Sequence, residues 1–280
     1  MTTIINGKQI AQGILDTLRQ QIAELQAAGK RLPELAVILL GDDPASQIYV
    51  SHKAKACQAV GMKSRVISLA RLTPESEVLA LIEQLNSDPA VDGILLQLPL
   101  PPPLSAERLL AALSAAKDVD GLTPYNQGLL ARGYPRFVPC TPLGIITLLD
   151  SLGFVYSGSR AVVVGKSSLV GAPISRLLEQ RGATVTALHS KTIAPQEYAR
   201  TADLLVVAAG KAHLVGPSWI KTGAVVIDVG IHRSSQGGLL GDVDYTRVAP
   251  LTAAITPVPG GVGPMTIASL LSNCLQAYSS

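Results

Sequence analysis

Tyr49 and Lys53 stand four residues apart in the stretch Tyr49-Val50-Ser51-His52-Lys53. On a helix that spacing lays the phenol and the ammonium one above the other on a single face. Such a pair can handle protons if burial lowers the lysine pKa, because a lysine tuned in that way carries a proton or polarises a water. The competing account is a solvated face, with His52, Lys53 and Lys55 exposed and Tyr49 half-buried, since lysines are mostly exposed. Cys57 continues the same stripe.

Other side chains with chemical potential lie further along. Gln97 follows the apolar run 91–96 and opens Gln97-Leu98-Pro99-Leu100-Pro101-Pro102-Pro103. A proline-rich tail at a strand's carboxyl end lies where α/β proteins place their ligands. Lys117-Asp118-Val119-Asp120-Gly121 sets two carboxylates in a polar turn. Turn and capping chemistry is a sufficient account of Asp118 and Asp120 taken alone.

The second half carries a different signal. The apolar run 161–164 leads into Gly165-Lys166-Ser167-Ser168-Leu169-Val170-Gly171-Ala172-Pro173 and a helix that stops at Gly182. This is not a standard G-x-G-x-x-G, because Gly165 and Gly171 are one residue further apart than that motif's outer glycines. Nor is it a Walker loop, whose first glycine would fall at Arg160. The physical logic holds all the same: a small-residue loop enters a helix N-terminus, where free N–H groups and the dipole favour a phosphate. An NAD site usually ends its second strand with an acid that holds the ribose 2′-hydroxyl. Here that place reads His189-Ser190-Lys191-Thr192. A hydroxyl and cations there, with Lys166 in the loop, favour a 2′-phosphate and hence NADP. Pro257-Val258-Pro259-Gly260-Gly261-Val262-Gly263-Pro264 is nearly bare of side chains and lets backbone approach a ligand closely.

The elements that must position these groups follow from periodicity. Ile10, Ile14, Leu18, Ile22 and Leu25 mark an amphipathic helix ending at Gly29. The continuous apolar run 35–40 reads as a buried parallel strand. Asp43 and Pro44 cap and start the Tyr49/Lys53 helix, which stops at Gly61. A strand at 65–69, a helix opened by Thr73-Pro74-Glu75 and a strand at 91–96 complete an αβαβαβ order, which means parallel strands under helices. A short helix is expected at 106–113. Residues 122–140, rich in Gly, Pro and Arg, read as the passage between two domains. Thr141 and Pro142 then cap and start a helix running to Leu152. Strands at 184–188, 204–207, 224–227 and 253–256 follow, and a last helix at 266–278 returns to the first domain. The expected division is 1–140, completed by 266–280, and 141–265.

Composition narrows the class. The 280 residues are 48% apolar and 15% charged, enough for a sizeable core. Net charge is +3 and aromatics are 4%, with no run of Lys or Arg, so a nucleic-acid surface is not expected. Cys57, Cys140 and Cys274 form neither a disulfide framework nor a metal cluster by spacing, and the histidines show no ligand spacing, so no metal is expected. No apolar run suits a membrane span, and the expectation is a cytoplasmic protein.

In this order the motifs closely resemble the bifunctional methylenetetrahydrofolate dehydrogenase/methenyltetrahydrofolate cyclohydrolase family. The resemblance rests on YVSHKAKAC (49–57), DGILLQLPLP (92–101), KDVDG (117–121), PCTPLG (139–144), VVVGKSSLVGAP (162–173), HSKT (189–192), GAVVIDVGI (223–231), GDVD (241–244) and TPVPGGVGPMT (256–266), and spans essentially the whole chain. It implies an N-terminal catalytic parallel-sheet domain, a C-terminal Rossmann-type NADP-binding domain, a cleft between them, and a homodimer without metal. It implies a folate site at Tyr49, Lys53, Gln97 and Asp120, with Gly261 and Pro264 also near substrate, and an NADP site at Gly165, Lys166, Ser167, Ser190 and Ile231. The chain departs from the family at Lys166, where Arg is frequent, at Leu122-Thr123 in place of Phe-His, and at His232 in place of Asn. Two other readings stay open at this point: a short-chain-type carbonyl reductase, which also uses Tyr-x3-Lys, and a non-enzymatic nucleotide-sensing regulator.

Overall fold

The computed structural model describes residues 1–234 and 237–280. The chain opens with β1 (Thr3–Ile4) and α1 (Gly7–Ala27), then runs β2 (Glu34–Leu40), α2 (Pro44–Val60), β3 (Lys63–Leu69), α3 (Glu75–Ser87), β4 (Gly93–Leu96), α4 (Ala106–Ala112) and α5 (Pro124–Ala131). It continues with α6 (Cys140–Ser151), β5 (Arg160–Val164), α7 (Gly171–Gln180), β6 (Thr184–Leu188), α8 (Pro195–Ala199), β7 (Leu204–Val207) and β8 (Val225–Asp228). The short β9 (His232–Arg233) and β10 (Leu239–Leu240) pair antiparallel, and α9 (Tyr245–Val248), β11 (Ala254–Ile255) and α10 (Val262–Tyr278) finish the chain. It divides into two compact units, one of residues 12–140 and 267–280, the other of residues 1–11 and 141–266.

In the first unit, β2 lies between β3 and β4, parallel to both. All seven β2 residues are buried, as a central parallel strand requires. Alternation sorts them. Leu35, Val37 and Leu39 join Leu18, Ile22, Val50, Cys57 and Leu271 in one core; Ala36, Ile38 and Leu40 join Val78, Ile82 and Leu109 in another. Burying each large aliphatic chain contributes roughly 1.5–3 kcal/mol. Asp43 caps α2, accepting from the Ser46 N–H at 2.8 Å, with Pro44 at the first helical position. That cap is worth about 1 kcal/mol. Gly61 ends the helix with φ +85°, a left-handed conformation that suits glycine.

In the second unit the parallel strands are ordered β1-β11-β8-β7-β5-β6. Strand order reverses at β5, with β6 on one side and β7 on the other, so the carboxyl ends of β5 and β7 form a switch point. Val162, Val164, Leu205, Val207, Val226, Ile255 and Trp219 fill one face.

Several expectations are corrected. Residues 1–11 were expected in the first domain, but β1 pairs with β11 and the Lys8 N–H donates to Gly260 O at 2.9 Å, which ties them to the second sheet. The expected linker 122–140 holds α5, capped by Thr123, whose hydroxyl accepts from the Asn126 N–H at 3.2 Å. Thr141 does not cap α6, which begins one residue earlier at Cys140; its hydroxyl is 3.0 Å from that of Thr266. Pro74, not Thr73, occupies the cap position of α3. The last helix starts at Val262, so Pro264 sits in its first turn instead of a loop.

Candidate active site

Lys53 is 9% exposed. Its neighbours His52 and Lys55 are exposed, so the solvated-face account fails for Lys53 and holds for the other two. Cys57, one turn on, is fully buried, and burial pushes its thiol up to about 12, so it is packing and not a nucleophile. The Lys53 ammonium donates to Gln97 Oε1 at 2.9 Å, and the Gln97 amide donates to Leu98 O at 2.7 Å. Gln97 is thus oriented by its own chain at the exit of β4. Burial lowers the Lys53 pKa, while the nearby charge of Asp120 opposes the shift. Tyr49 is half-buried one turn before Lys53, and desolvation raises its pKa.

Asp120 is set beside this lysine by the turn that carries it. The Ile94 N–H donates to Lys117 O at 2.7 Å, docking the segment against β4. Asp118, 1% exposed, accepts from the Leu122 N–H (3.1 Å), the Thr123 N–H (2.8 Å) and Asn126 Nδ2 (2.8 Å). Asp118 is therefore the turn residue. Gly121 has φ +67°, and a Cβ there would lie 2.9 Å from Pro139 N, so only glycine fits. Burial raises the pKa of Asp120, and the Lys53 charge and a bond to the Cys140 thiol pull it back. Cys140 is the residue that sequence reasoning missed. It is 1% exposed, its single S–H is shared between Asp120 and Val119 O, the latter at 3.3 Å, and burial and the Asp120 charge raise its pKa well above the ordinary thiol value. The PCTPLG motif was its only signal, since nothing in its spacing points to Lys53 or Asp120.

The nucleotide-side candidates gather at the switch point. Gly165 follows β5 with φ +111°, and a side chain there would strike the Ala208 carbonyl after β7. Gly171 faces the Gly165 carbonyl just as closely. The crevice therefore has a bare backbone wall. Lys166, Ser167 and Ser190 are exposed. The α7 N-terminus is not entirely free, because Ser167 Oγ accepts from the Val170 N–H at 3.2 Å and the Gly171 N–H at 3.4 Å. The end of β6 offers His189 Nδ1, which accepts from the Lys191 N–H at 3.2 Å, and no carboxylate in residues 189–192. Ile231 is 40% exposed at the end of the loop after β8. Gly261 is buried, and its missing side chain is required by Thr256 and Pro257 as much as by any ligand; Pro264 is half-buried.

Tyr49, Lys53, Gln97 and Asp120 belong to the first unit, and Gly165, Lys166, Ser167, Ser190, Ile231, Gly261 and Pro264 to the second. A short-chain reductase needs its Tyr-x3-Lys pair beside the nucleotide loop within one domain, and this division argues against it.

Residues 5–120 match the family profile described as tetrahydrofolate dehydrogenase/cyclohydrolase, catalytic domain, and residues 139–280 match its NAD(P)-binding domain. The chain belongs to the tetrahydrofolate dehydrogenase/cyclohydrolase family. Bifunctional protein FolD 2 of Geobacter sulfurreducens is 50% identical over 277 residues, covering 99% of this chain and 97% of that protein. The crystal structure of the FolD methylenetetrahydrofolate dehydrogenase/cyclohydrolase from Campylobacter jejuni superposes with a TM-score of 0.97 at 44% identity, covering 100% of this chain and 99% of that one. The Trypanosoma brucei FolD, complexed with NADP cofactor and inhibitor, gives a TM-score of 0.95 at 36% identity, covering 99% and 97%. A tetrahydrofolate dehydrogenase/cyclohydrolase thus has its catalytic sheet in the first half and an NAD(P)-binding sheet in the second.

Proposed function

We propose that the chain oxidises 5,10-methylenetetrahydrofolate to 5,10-methenyltetrahydrofolate with NADP and then hydrolyses that product to 10-formyltetrahydrofolate, within one-carbon metabolism. The observation that carries this reading is the buried Lys53–Gln97 bond beside Asp120 in a chain of this family. A nucleotide sensor would have no use for a desolvated lysine held in that way.

The substrate carries a CH2 between two nitrogens, and hydride loss leaves a cation that both nitrogens delocalise. That step needs no base. The chemistry a bound NADP would supply is that of a hydride acceptor. Lys166 and Ser190 would hold its 2′-phosphate, Gly165 and Ser167 would let the pyrophosphate approach, and Ile231 would pack on the dinucleotide. The bare Gly165 backbone and the missing acid after β6 support that fit.

The hydrolytic step does need proton handling, because water attacks the methenyl carbon and the ring opens. Lys53 takes this role, with Gln97 fixing its ammonium and orienting water. Asp120 accepts hydrogen bonds from the pterin's amino and ring N–H groups. Tyr49 packs beside the pterin, and Gly261 and Pro264 belong to the substrate's surroundings.

By the same resemblance we take the working unit to be a cytoplasmic homodimer; a monomer mass in sedimentation at micromolar concentration would refute the dimer. The activity is tested by mixing the protein with methylenetetrahydrofolate and NADP and following reduction of the dinucleotide, then appearance of the formyl product. No reduction would sink the dehydrogenase reading.

A further inference from the structure

Asp242 is fully buried, and its carboxylate accepts four bonds: Oδ2 from the N–H groups of Ala209 (2.6 Å) and Gly210 (2.9 Å), Oδ1 from the N–H of Lys211 (2.9 Å) and from His232 Nε2 (2.7 Å). A carboxylate has about four acceptor positions, so this one is saturated. Three of the donors are consecutive backbone groups of the turn after β7. The fourth is the side chain of His232, which opens β9 directly after the loop that leaves β8. Asp242 therefore ties together the loops leaving two neighbouring strands, and its own N–H donates to Asp228 at the end of β8 at 3.0 Å. The β8 loop runs directly over this carboxylate, since a side chain at Gly230 would strike it.

The two ties are unequal. The β7 turn is pinned by its own backbone, whatever side chains it carries. The β8 loop is joined to the Asp242 segment by the His232 side chain and, through the pairing of His232 with Leu240 in β9–β10, by backbone, so only the bond to the carboxylate itself depends on a replaceable side chain. Between Gly230 and His232 stands Ile231, whose Cδ1 would lie 3.6 Å from a Cβ at Gly263. In a doubly wound sheet the loop after β5 takes the pyrophosphate and the end of β6 the adenine ribose. The β7 and β8 ends are then left for the nicotinamide half.

We propose that His232 is a positioning residue for the dinucleotide: its bond to Asp242 fixes the backbone that presents Ile231 to the nicotinamide half. This rests on the NADP-linked reading above. His232→Leu removes the donor, while His232→Gln restores one, because a glutamine Nε2 reaches as far as the imidazole Nε2. Dehydrogenase kinetics should show the KM for NADP raised about tenfold in His232→Leu with kcat little changed, equivalent to about 1.4 kcal/mol of binding. His232→Gln should return it to near wild type. Cyclohydrolase activity, measured on the methenyl substrate without dinucleotide, should stay at the wild-type value in both variants, and the unfolding midpoint of His232→Leu should fall by no more than a few degrees, the cost of one lost bond to a buried carboxylate. An unchanged KM in His232→Leu overturns the proposal. So does a parallel fall of both activities with the unfolding midpoint, which would make the bond merely structural, or a Gln variant as impaired as Leu. Absence of NADP reduction by the wild type is a different failure and sinks the enzymatic reading instead.

Discussion

Lys53 Nζ and Gln97 Oε1 are 2.9 Å apart, although 44 residues separate them in the chain. One side chain comes from the middle of α2 and the other from the exit of β4, and the parallel β2–β4 pairing brings those elements side by side. Lys53→Met keeps the aliphatic stem and removes the ammonium. Cyclohydrolase turnover should fall at least ~10²-fold, the usual effect of losing an acid–base group. Dehydrogenase turnover should persist. Gln97→Leu should leave the buried ammonium without its acceptor and move the cyclohydrolase pH profile to lower pH, since an unsolvated charge is disfavoured. Cyclohydrolase rates within a few-fold of wild type in folded Lys53→Met would remove Lys53 from the mechanism.

Asp120 is raised by burial above the ordinary carboxylate range, with Lys53 and Cys140 opposing. In the role proposed for it, its ionised form accepts the pterin's N–H groups. Both reactions should therefore lose kcat/KM together on an acid limb lying above the range of a free carboxylate. Asp120→Asn should impair both reactions and leave NADP affinity intact. Parallel pH profiles of the two activities check this; an acid limb in only one of them would separate Asp120 from the shared substrate.

The choice of dinucleotide should reside in Lys166 and Ser190. Each charge-assisted bond to a 2′-phosphate is worth roughly 1.5–3 kcal/mol. Lys166→Ala or Ser190→Ala should then cut the preference for NADP over NAD by about one to two decades. The measurement is kcat/KM with each dinucleotide. Selectivity left unaltered in both variants would place the 2′-phosphate elsewhere.

Asp228 gives a stability signature. It is 4% exposed, and burial raises its carboxyl to about 6 from 3.8, against three backbone N–H bonds. Between those values the folded protein keeps a proton that the unfolded chain has released. The stabilisation is therefore present at low pH and is lost as pH rises through about 6. Its size is on the order of 2–3 kcal/mol. Asp228→Asn abolishes the titration, so the stability difference between wild type and variant should shift in favour of wild type as pH falls from 6 towards 4. Denaturant unfolding at several pH values measures it, and a flat difference would contradict the assignment.

The sequence made Tyr49, Lys53 and Gln97 legible because helix spacing and a strand end are local signals. Burial of Lys53 was not legible, since β4 and the 117–121 turn supply it from distant parts of the chain. Asp118 and Asp120 looked alike as turn residues, and only the fold divides them, one to bind the turn and one to face the lysine. Cys140 carried no spacing signal at all. The helix α5 hid within a segment whose Gly, Pro and Arg content reads as a linker, and β1 is two residues long, below what alternation can mark. In the sequence Ser167 is a loop residue beside free N–H groups, whereas in the fold its hydroxyl already holds two of them.

The unit that begins at Gln12 is not completed by the chain that directly follows it. Leu270, Leu271 and Cys274 of α10 pack into its core, and Asn273 Nδ2 donates to Val119 O at 2.8 Å, one residue before Asp120. All of residues 141–266, the bulk of the other unit, is translated in between. During synthesis the β2 face under α10 therefore waits uncovered while the rest of the second sheet, all of it but β1, is made. The turn bearing Asp120 lacks its Asn273 bond for the same interval. Folate chemistry becomes possible only after the nucleotide-binding sheet has already been synthesised, and cutting the gene after Cys140 would separate neither a complete first unit nor a complete second one.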